Sequence, residues 1–312
     1  MARVLITSPV PEGGIDPLVA SGHQLVAPDG AAPDLVALAS DVDAVLCMLT
    51  DRIDGDLLRA GAAGRLRVVS VAAVGYDNVD VAEADRLGIV VCNTPGVLDE
   101  TTADLAFLLI LSAGRLASDA ERDLRAGRWG GWGITDHLGR DVHGSCLGLV
   151  GYGRIARAVA RRAEGFGMEV LHHTRTHTGL PGYVATLADL LARSDTVSLH
   201  VPLTPSTRHL IGADELGLMK PTAVLVNTAR GAVVDETALA RALEKGEIFA
   251  AGLDVYSQEP TIDPDLLAAP RTVLLPHIGS ASTQTRTAMA QMASQAICDV
   301  LAGRAPEHPV RA

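Results

Sequence analysis

Short apolar runs alternate along the first part of the chain with segments whose apolar residues recur at helical spacing. The apolar runs predict buried strands at Val4–Thr7, Leu25–Ala27, Ala44–Leu49, Val68–Val71 and Ile89–Cys92. Two of the segments between them, Ala32–Ser40 and Asp54–Ala62, have the periodicity of helices. Strands and helices in alternation are typical of a parallel sheet with helices on its faces.

The second part of the chain repeats this rhythm. Its apolar runs predict strands at Leu147–Val150, Glu169–His172, Thr196–His200, Ala223–Asn227, Ala250–Leu253 and Val273–Leu275. Helices are predicted between them at Arg154–Glu164, Thr186–Ala192 and Glu236–Glu244. The sequence therefore predicts an α/β fold with two doubly wound parallel sheets.

The chain is predicted to leave the first sheet at Asn93–Gly96, where Pro and Gly break regular structure. After this break, Thr101 or Thr102 is expected to cap a long helix. The apolar members of that helix, which we expect to be buried, are Leu105 to Leu111, Leu116 and Leu124. A last helix, Thr283–Leu301, is expected to return to the first sheet. The predicted domains are residues 1–98, completed by residues 282–312, and residues 99–281.

Length and composition agree with this division and exclude some partners. A chain of 312 residues suits two domains, because single hydrophobic cores stop growing at about 250–300 residues. The 26 basic and 37 acidic residues give a formal net charge of −11, and only 3% of the residues are aromatic. Nucleic acids and anionic membranes attract clustered Lys and Arg, so we expect neither as a partner.

The cysteines and the start of the chain bear on the compartment. Cys47, Cys92, Cys146 and Cys298 are far apart and form no CxxC motif, which is typical of reduced thiols. The first residues lack the apolar stretch and cleavage site of a signal peptide, and the longest apolar run, Leu105–Gly114, covers about half a membrane span. These features predict a cytoplasmic protein.

A glycine-rich loop follows the strand predicted at Leu147–Val150 and opens the helix predicted after it. Gly151 permits a tight turn, and Gly153 lets backbone N–H groups approach a pyrophosphate at the positive end of the helix. Ala156 stands where the third glycine of this motif keeps helix and strand close together. In this strand-to-helix context, the loop predicts a dinucleotide site.

The end of the next predicted strand bears on which dinucleotide is bound. NAD-binding sites carry an acidic residue about 20 residues after the loop, where this chain has His172–Thr176. Arg175 can instead hold a 2′-phosphate through its guanidinium group. We therefore expect NADP(H) in preference to NAD(H), which stays the alternative. His172, His173 and His177 lack the further Cys or carboxylate of a metal site, so no metal is predicted.

Three polar side chains of different types stand just after strands predicted in the second half. They are Arg230, Glu259 and His277. The carboxyl ends of parallel strands meet at one edge of an open sheet, where the ligand crevice lies. The sequence therefore predicts that a cation, a carboxylate and an imidazole converge beside the dinucleotide.

These features resemble the D-isomer-specific 2-hydroxyacid dehydrogenase family and, within it, the glyoxylate/hydroxypyruvate reductases. The resemblance extends to further segments over nearly the whole length, at Leu46–Asp54, Val74–Asn78, Thr102–Phe107 and Leu199–Pro205. It implies a flavodoxin-like substrate domain, a Rossmann cofactor domain and a cleft between them. It also implies a homodimer that reduces a small 2-oxo acid to the D-2-hydroxy acid by hydride transfer.

The resemblance implies a role for each of the three polar side chains. Arg230 would clamp the substrate carboxylate and polarise the neighbouring carbonyl, a task that suits a planar, permanently charged fork. His277 would be the general acid in reduction and the base in the reverse reaction. Glu259 would hydrogen-bond the imidazole, fix its tautomer and raise its pKa above the usual value of about 6.5.

The same resemblance implies the remaining contacts. The backbone N–H groups of Val74 and Gly75 would bind the substrate carboxylate, Leu49 would line the substrate pocket, and Asp254 would hold the nicotinamide carboxamide. Trp132, in a segment used for dimerisation in the family, would form part of a specificity wall. The other cofactor contacts implied are Gly151, Gly153, Arg154, Ile155, Thr174, Arg175, Thr176, Val201, Pro202, Thr207, Thr228, Ala229, Gly279 and Thr102.

Two alternative functions stay open at this stage. One is D-3-phosphoglycerate dehydrogenase, although the absence of a regulatory extension after the last helix favours smaller oxo acids, and a substrate phosphate would need an additional basic group. The other is a non-catalytic protein that senses dinucleotides. Arg230, Glu259 and His277 argue against the sensor, since it needs no proton donor.

Overall fold

The computed structural model describes residues 1–28 and 34–312, so Ala32, where the first predicted helix begins, lies outside the described residues. Contacts within the chain define two compact units, which are residues 1–98 with 280–312 and residues 99–279. The second boundary between the units lies between Gly279 and Ser280. The boundary predicted from the sequence lies two residues later, between residues 281 and 282.

The first unit begins with alternating strands and helices. They are β1 Arg3–Ile6, α1 Asp16–Ala20, β2 Gln24–Val26, α2 Leu35–Ala39, β3 Ala44–Cys47, α3 Gly55–Ala63, β4 Val68–Val71, α4 Val81–Leu87 and β5 Val90–Cys92.

The second unit follows with the same alternation. Its elements are α5 Asp99–Gly114, α6 Ala117–Arg125, β6 Cys146–Val150, α7 Arg154–Gly165, β7 Glu169–His173, α8 Leu187–Arg193, β8 Thr196–Leu199, α9 Ala213–Leu218, β9 Val224–Asn227, α10 Glu236–Lys245, β10 Ala250–Leu253, α11 Pro264–Ala268 and β11 Thr272–Leu274. The chain then returns to the first unit with α12 Thr283–Leu301 and β12 Pro309–Val310.

The sheet of the first unit has the order β12-β5-β4-β3-β1-β2. Strands β1 to β5 are parallel and follow the flavodoxin-like order 2-1-3-4-5. The predicted parallel sheet is confirmed for these five strands, and one antiparallel edge is added where β12 pairs with β5. A strand as short as Pro309–Val310 carries no alternation that sequence analysis could detect.

The sheet of the second unit has the order β11-β10-β9-β8-β6-β7, with every pair parallel. Beyond β7, Tyr183 forms a single parallel bridge with His172. With that bridge counted as the third strand, the order is 3-2-1-4-5-6-7, which contains the 3-2-1-4-5-6 order of dinucleotide-binding sheets and adds β11 at the far edge. In such sheets ligands bind where the order reverses. The reversal lies between the carboxyl ends of β6 and β8.

Buried strand residues alternate between the two faces of each sheet, as the pleat requires. In β3, Val45 packs against the α2, α3 and α4 side, whereas Leu46 packs against α1 and α12. In β9, Leu225 and Val226 likewise belong to opposite faces of the second sheet. The near-continuous apolar runs of the sequence are thus explained by strands that are covered on both sides.

The observed long helix, α5, differs from the predicted one. Helix α5 begins at Asp99 and ends at Gly114, so Thr101 and Thr102 lie inside the helix and do not cap it. The Gly114 carbonyl accepts the Arg140 N–H at 2.7 Å, and Leu116 then takes a left-handed φ of 53° before α6. A returning segment therefore binds the end of α5 and stops it.

The expected burial of the helix is also wrong at two leucines. Leu108 is 48% exposed and Leu124 is 57% exposed. Leu124 belongs to α6, which contains no buried residue. In the described part of the chain no single helix could cross a membrane, although α5 and α6 together, bent by 67°, meet the length and composition criteria.

Candidate active site

The glycine-rich loop lies at the reversal point of the second sheet. Gly151 has a φ of +90°, and a Cβ there would lie 2.5 Å from the His200 carbonyl oxygen, just beyond β8. Its N–H donates to the His173 carbonyl at 2.9 Å. Any side chain at residue 151 would clash with the chain just after β8 and strain the backbone, so the turn requires glycine.

The start of α7 presents an open, positively polarised surface. Gly153 precedes the helix, and a Cβ built on it would meet nothing within 4 Å. The first N–H groups of a helix, here those of Arg154 and Ile155, have no partner inside it. Ala156 is fully buried, so its methyl group fits the contact that the third glycine of the motif would make. These features fit a pyrophosphate group.

Arg154 has a second contact that sequence analysis missed. Its Nε donates to Asp99 Oδ2 at 3.0 Å, which ties the start of α7 to the start of α5. Burial raises the pKa of Asp99, and Arg154 offsets this only in part. The Arg154 side chain is 62% exposed, so part of the guanidinium group stays accessible.

The segment after β7 has no acidic residue and offers an accessible cation. Thr174 Oγ1 donates to the Thr176 carbonyl at 2.6 Å, which closes a tight turn around Arg175. Arg175 is exposed, and none of the carboxylates in residues 1–28 and 34–312 forms an ion pair with it. An anion can therefore approach its guanidinium group without displacing a carboxylate.

The neighbouring histidines have structural partners. His172 is fully buried and stacks on Tyr152 of the glycine-rich loop, with ring centroids 3.9 Å apart. Its Nε2 lies 2.7 Å from Thr178 Oγ1, and burial lowers its pKa. His173 Nδ1 bonds to the Val184 carbonyl at 3.0 Å. Over the described ranges no three His, Cys, Asp or Glu residues are grouped as a metal site.

Loops after β8 and β9 carry five of the predicted cofactor contacts, at Val201, Pro202, Thr207, Thr228 and Ala229. Thr207 Oγ1 donates to the Pro202 carbonyl at 2.7 Å and fixes the first loop. Asn227 fixes the second loop, since its Oδ1 accepts the Ala229 N–H at 3.0 Å. Thr228 Oγ1 is buried and has no partner among the described residues. An unsatisfied hydroxyl of this kind suits a site that binds a polar ligand.

His277 and Glu259 form a hydrogen-bonded pair. His277 Nδ1 lies 2.7 Å from Glu259 Oε2, and the two side chains are 25% and 24% exposed. The other carboxylate oxygen, Oε1, accepts the Tyr256 N–H at 2.9 Å. Burial raises the pKa of Glu259, but hydrogen bonds from His277 and Tyr256 outweigh it and the net shift is downward. Glu259 is therefore a carboxylate at neutral pH, and the pair leaves Nε2 of the imidazole for another partner.

Asp254 holds the backbone that carries His277. Its two carboxylate oxygens accept the N–H groups of Ile278 at 2.8 Å and Gly279 at 2.7 Å, and its carbonyl accepts the His277 N–H at 2.9 Å. His277 itself has a φ of 54°, a left-handed conformation that is uncommon outside glycine. Asp254 is 1% exposed, and burial raises its pKa. Its visible function is to stabilise this strained turn.

Arg230 lies close enough to Glu259 to lower the pKa of that carboxyl further. Its Nη1 donates to the Ala229 carbonyl at 2.8 Å, and Asn227 Nδ2 donates to the Arg230 carbonyl at 2.9 Å. The next residue, Gly231, packs so closely that a Cβ there would lie 1.9 Å from the Tyr256 carbonyl carbon. The loops after β9 and β10 therefore come into direct contact, as the topology predicts.

Glu236 is a residue of this region that sequence analysis missed. It is 8% exposed, and its carboxylate accepts both the Ser257 N–H at 2.6 Å and the Ser257 hydroxyl at 2.9 Å. The Tyr256 hydroxyl donates to the Leu275 carbonyl at 3.0 Å. Both contacts hold the segment that ends at Glu259. A Glu in the first turn of a helix is common, so the sequence contains no signal for this function.

The predicted substrate residues lie at the carboxyl edge of the first sheet. Val74 and Gly75 follow β4 and are half-buried, and Leu49, also half-buried, follows β3. Asn78 Nδ2 donates to the carbonyls of Met48 at 3.1 Å and Asp51 at 2.8 Å. The loops after the neighbouring strands β3 and β4 are thus joined by hydrogen bonds.

A model of the NAD binding domain of D-isomer specific 2-hydroxyacid dehydrogenases matches residues 107–279. The glyoxylate reductase of Korarchaeum cryptofilum (strain OPF8) is 46% identical over 319 residues, with 99% of this chain and 95% of the relative covered. The chain belongs to the D-isomer-specific 2-hydroxyacid dehydrogenase family. The resemblance of the motifs to this family is therefore confirmed, as is the expectation of an NAD(P)-dependent oxidoreductase.

Solved structures of other members agree with this dehydrogenase fold. An NADPH-dependent glyoxylate/hydroxypyruvate reductase from Sinorhizobium meliloti, in complex with NADP and malonate, is 37% identical with a TM-score of 0.88 and covers 99% of this chain and 96% of its own. A glyoxylate reductase from Paecilomyes thermophila is 36% identical with a TM-score of 0.87 and covers 99% and 97%. The dehydrogenase has the predicted two-sheet fold, and its cofactor is a nicotinamide dinucleotide.

The ionised form of Glu259 is expected to stabilise the folded dehydrogenase. Because the folded-state pKa lies below the usual 4.5, this stabilisation is complete above pH 4.5 and is lost as the pH falls through the lowered value. Glu259→Gln should therefore melt at a lower temperature than the wild type at pH 7, and the difference should shrink below pH 4.5. Thermal unfolding across pH checks this, with the exposed Glu244→Gln as control. A difference that stays constant with pH would contradict the assignment.

Proposed function

We propose that this dehydrogenase reduces a small 2-oxo acid, of the glyoxylate or hydroxypyruvate type, to the D-2-hydroxy acid. The observation that carries the proposal is the His277–Glu259 pair, 2.7 Å apart, at the strand ends where Arg230 also lies. Reduction of a 2-oxo acid needs a proton donor and a cation for the carboxylate. The names of the relatives, glyoxylate reductase among them, support the same substrate class.

The reaction needs little beyond these residues. When bound, the reduced nicotinamide supplies the hydride to the carbonyl carbon. Arg230 binds the substrate carboxylate and draws electron density from the neighbouring carbonyl. His277 donates a proton from Nε2 to the carbonyl oxygen, because its Nδ1 is bonded to Glu259. The hydride and the proton together convert the carbonyl to a hydroxyl. Glu259 stabilises the imidazolium form of His277 until His277 donates its proton.

The N–H groups of Val74 and Gly75 supply the remaining contact to the substrate carboxylate, and Leu49 contributes to the wall of the substrate pocket. Because Leu49 is apolar, it suits a substrate side chain that is uncharged. Asp254 acts on the reaction by holding the turn that carries His277, and its carboxylate oxygens accept the Ile278 and Gly279 N–H groups.

Replacing the proton donor or the clamp is expected to abolish most of the turnover. His277→Ala and Arg230→Ala should each lower kcat/KM for glyoxylate by at least about 100-fold, as expected for lost acid catalysis or charge stabilisation. NADPH oxidation is followed by absorbance with glyoxylate, hydroxypyruvate, pyruvate, phenylpyruvate and 2-ketogluconate, and with 3-phosphohydroxypyruvate as a separate arm. Activity confined to the phosphorylated acid would favour a phosphoglycerate dehydrogenase. Wild-type protein that is inactive with every acid would favour a dinucleotide sensor.

We further propose that NADP(H) is preferred to NAD(H). The exposed guanidinium group of Arg175, the adjacent Thr174 and Thr176 and the absence of a carboxylate after β7 support a site for the 2′-phosphate. Gly151, Gly153, Arg154 and Ile155 would bind the pyrophosphate. The contacts proposed for the rest of the cofactor are Thr102, Val201, Pro202, Thr207, Thr228, Ala229, Asp254 and Gly279.

Arg175→Ala is expected to raise KM for NADPH by about tenfold, the loss of one charge-assisted hydrogen bond, and to leave KM for NADH unchanged. Steady-state kinetics with both cofactors measure the ratio. Arg193→Ala is the matched control, since Arg193 is also exposed but pairs with Glu169 at the opposite end of β7. An Arg175→Ala enzyme with the wild-type preference would refute the proposed contact.

The dehydrogenase is proposed to act as a homodimer in which the segment after α6 contacts a second copy of the chain. Trp129 is 62% exposed, Trp132 is 82% exposed and Ile134 is 76% exposed. Large apolar side chains grouped in this way on the surface are typical of an interface. Trp132 would then reach the partner's substrate pocket and form part of its wall.

Removing both indole rings is expected to dissociate the dimer. Trp129→Ala with Trp132→Ala should shift the protein from dimer to monomer in sedimentation equilibrium at micromolar concentration, because aromatic anchors dominate interface energies. The control is Leu267→Ala, which removes a leucine that is 53% exposed on α11. A double variant that sediments as the wild type does would show that the interface lies elsewhere.

A further inference from the structure

Two consecutive peptide groups at the end of β4 carry the N–H groups that the proposed function assigns to the substrate carboxylate. One peptide joins Ala73 to Val74 and the other joins Val74 to Gly75. A trans peptide is planar, and its C=O and N–H point in opposite directions. A group that fixes the carbonyl therefore also fixes the direction of the N–H.

Both carbonyls are bound by the residues that follow β5. Asn93 Nδ2 donates to the Val74 carbonyl at 2.7 Å. The Thr94 backbone N–H donates to the Ala73 carbonyl at 2.9 Å. Neighbouring residues on one strand end thus hold both peptides, one through a side chain and the other through the backbone.

The opposite sides of the same peptides are available. Within residues 1–28 and 34–312, neither the Val74 N–H nor the Gly75 N–H donates a hydrogen bond. Both residues are half-buried rather than enclosed. Two adjacent N–H donors without acceptors, on peptides whose carbonyls are fixed, form a site suited to an anion with two oxygens.

The residues that bind the carbonyls are themselves held in place. Asn93 directly follows β5, whose Cys92 pairs with Ser70 of β4. The Asn93 N–H bonds to the His308 carbonyl at 3.4 Å, next to β12. Thr94 is fully buried. The two peptides are therefore fixed against a rigid strand end before any ligand binds, which lowers the entropic cost of binding.

The same contacts have an electrostatic consequence. A hydrogen bond donated to a carbonyl polarises the peptide and makes its own N–H a better donor. The Asn93 amide is uncharged, so it strengthens the Gly75 N–H without adding a cation that would bind anions indiscriminately.

We propose that Asn93 is a positioning residue for the substrate carboxylate, which it serves by fixing the Val74–Gly75 peptide. Thr94 fixes the Ala73–Val74 peptide in the same way through its backbone. This inference rests on the proposed function, in which the Val74 and Gly75 N–H groups bind that carboxylate. Asn93 itself does not touch the substrate.

Asn93→Ala is the direct test. KM for glyoxylate should rise about tenfold, which corresponds to about 1.4 kcal/mol, while kcat and KM for NADPH change by less than about threefold. The inhibition constant of oxamate, a carboxylate that resembles the substrate, should rise by the same factor as KM. A general loss of structure would instead lower kcat and weaken NADPH binding as well.

A side-chain amide elsewhere in the same unit provides the matched control. Gln291 Nε2 of α12 donates to the Gly13 carbonyl at 3.1 Å, so Gln291→Ala removes the same kind of bond away from the Val74–Gly75 peptide. This variant should keep the wild-type KM for glyoxylate. Equal increases in KM in both variants would overturn the inference, because the effect would then reflect a general disturbance of the unit.

A second variant keeps the test decisive if Asn93→Ala does not fold. Asn93→Asp is nearly isosteric but cannot donate to the Val74 carbonyl at neutral pH, so it should raise KM for glyoxylate at least as much. An unchanged KM in an active Asn93 variant would overturn the inference while the proposed function stands. A wild-type protein inactive with every 2-oxo acid would overturn the proposed function, and the inference with it.

Discussion

Each strand of a parallel sheet delivers its chain to the same edge, and the arrangement of functional groups in this protein depends on that constraint. Arg230, Glu259 and His277 are far apart in sequence, yet they follow the adjacent strands β9, β10 and β11. The loops after β9 and β10 are in direct contact, since a Cβ at Gly231 would lie 1.9 Å from the Tyr256 carbonyl carbon. The three side chains therefore come together because their strands are neighbours in the sheet.

Carboxylates hold these loops together by accepting backbone N–H groups. Asp254 accepts from Ile278 and Gly279, Glu259 accepts from Tyr256, and Glu236 accepts from Ser257. A buried carboxylate is stable only when such donors replace water. The arrangement uses acidic residues to fix loop geometry, so the acidic character of the chain does not conflict with anionic ligands. In the proposed function, the phosphates and carboxylates of these ligands bind to a helix end, to backbone N–H groups and to a few arginines.

In the first unit, uncharged groups fix the loop after β4 by hydrogen bonds to its backbone. Asn93 and Thr94 donate to the carbonyls of Val74 and Ala73, and in the described part of the chain the N–H side of each peptide has no partner. In the second unit carboxylates bind N–H groups to hold loops, whereas in the first unit donors bind carbonyls to present N–H groups. In the proposed function, the loops of the second unit offer side chains to a ligand, and the loop after β4 in the first unit offers backbone N–H donors.

The sequence by itself determined the two sheets, most strand positions, the glycine-rich loop and the three polar strand-end residues. Apolar runs and glycine turns are local consequences of burial and backbone sterics, and they are visible without a structure. It could not reveal the break of α5 at Gly114, since the Arg140 N–H that binds that carbonyl comes from a distant segment. Nor could it reveal β12, Glu236 or the bond from Asn93 to Val74. Those depend on which strand ends become neighbours, and only the packed tertiary structure decides that, because hydrogen bonds between remote segments leave no periodic trace in the chain.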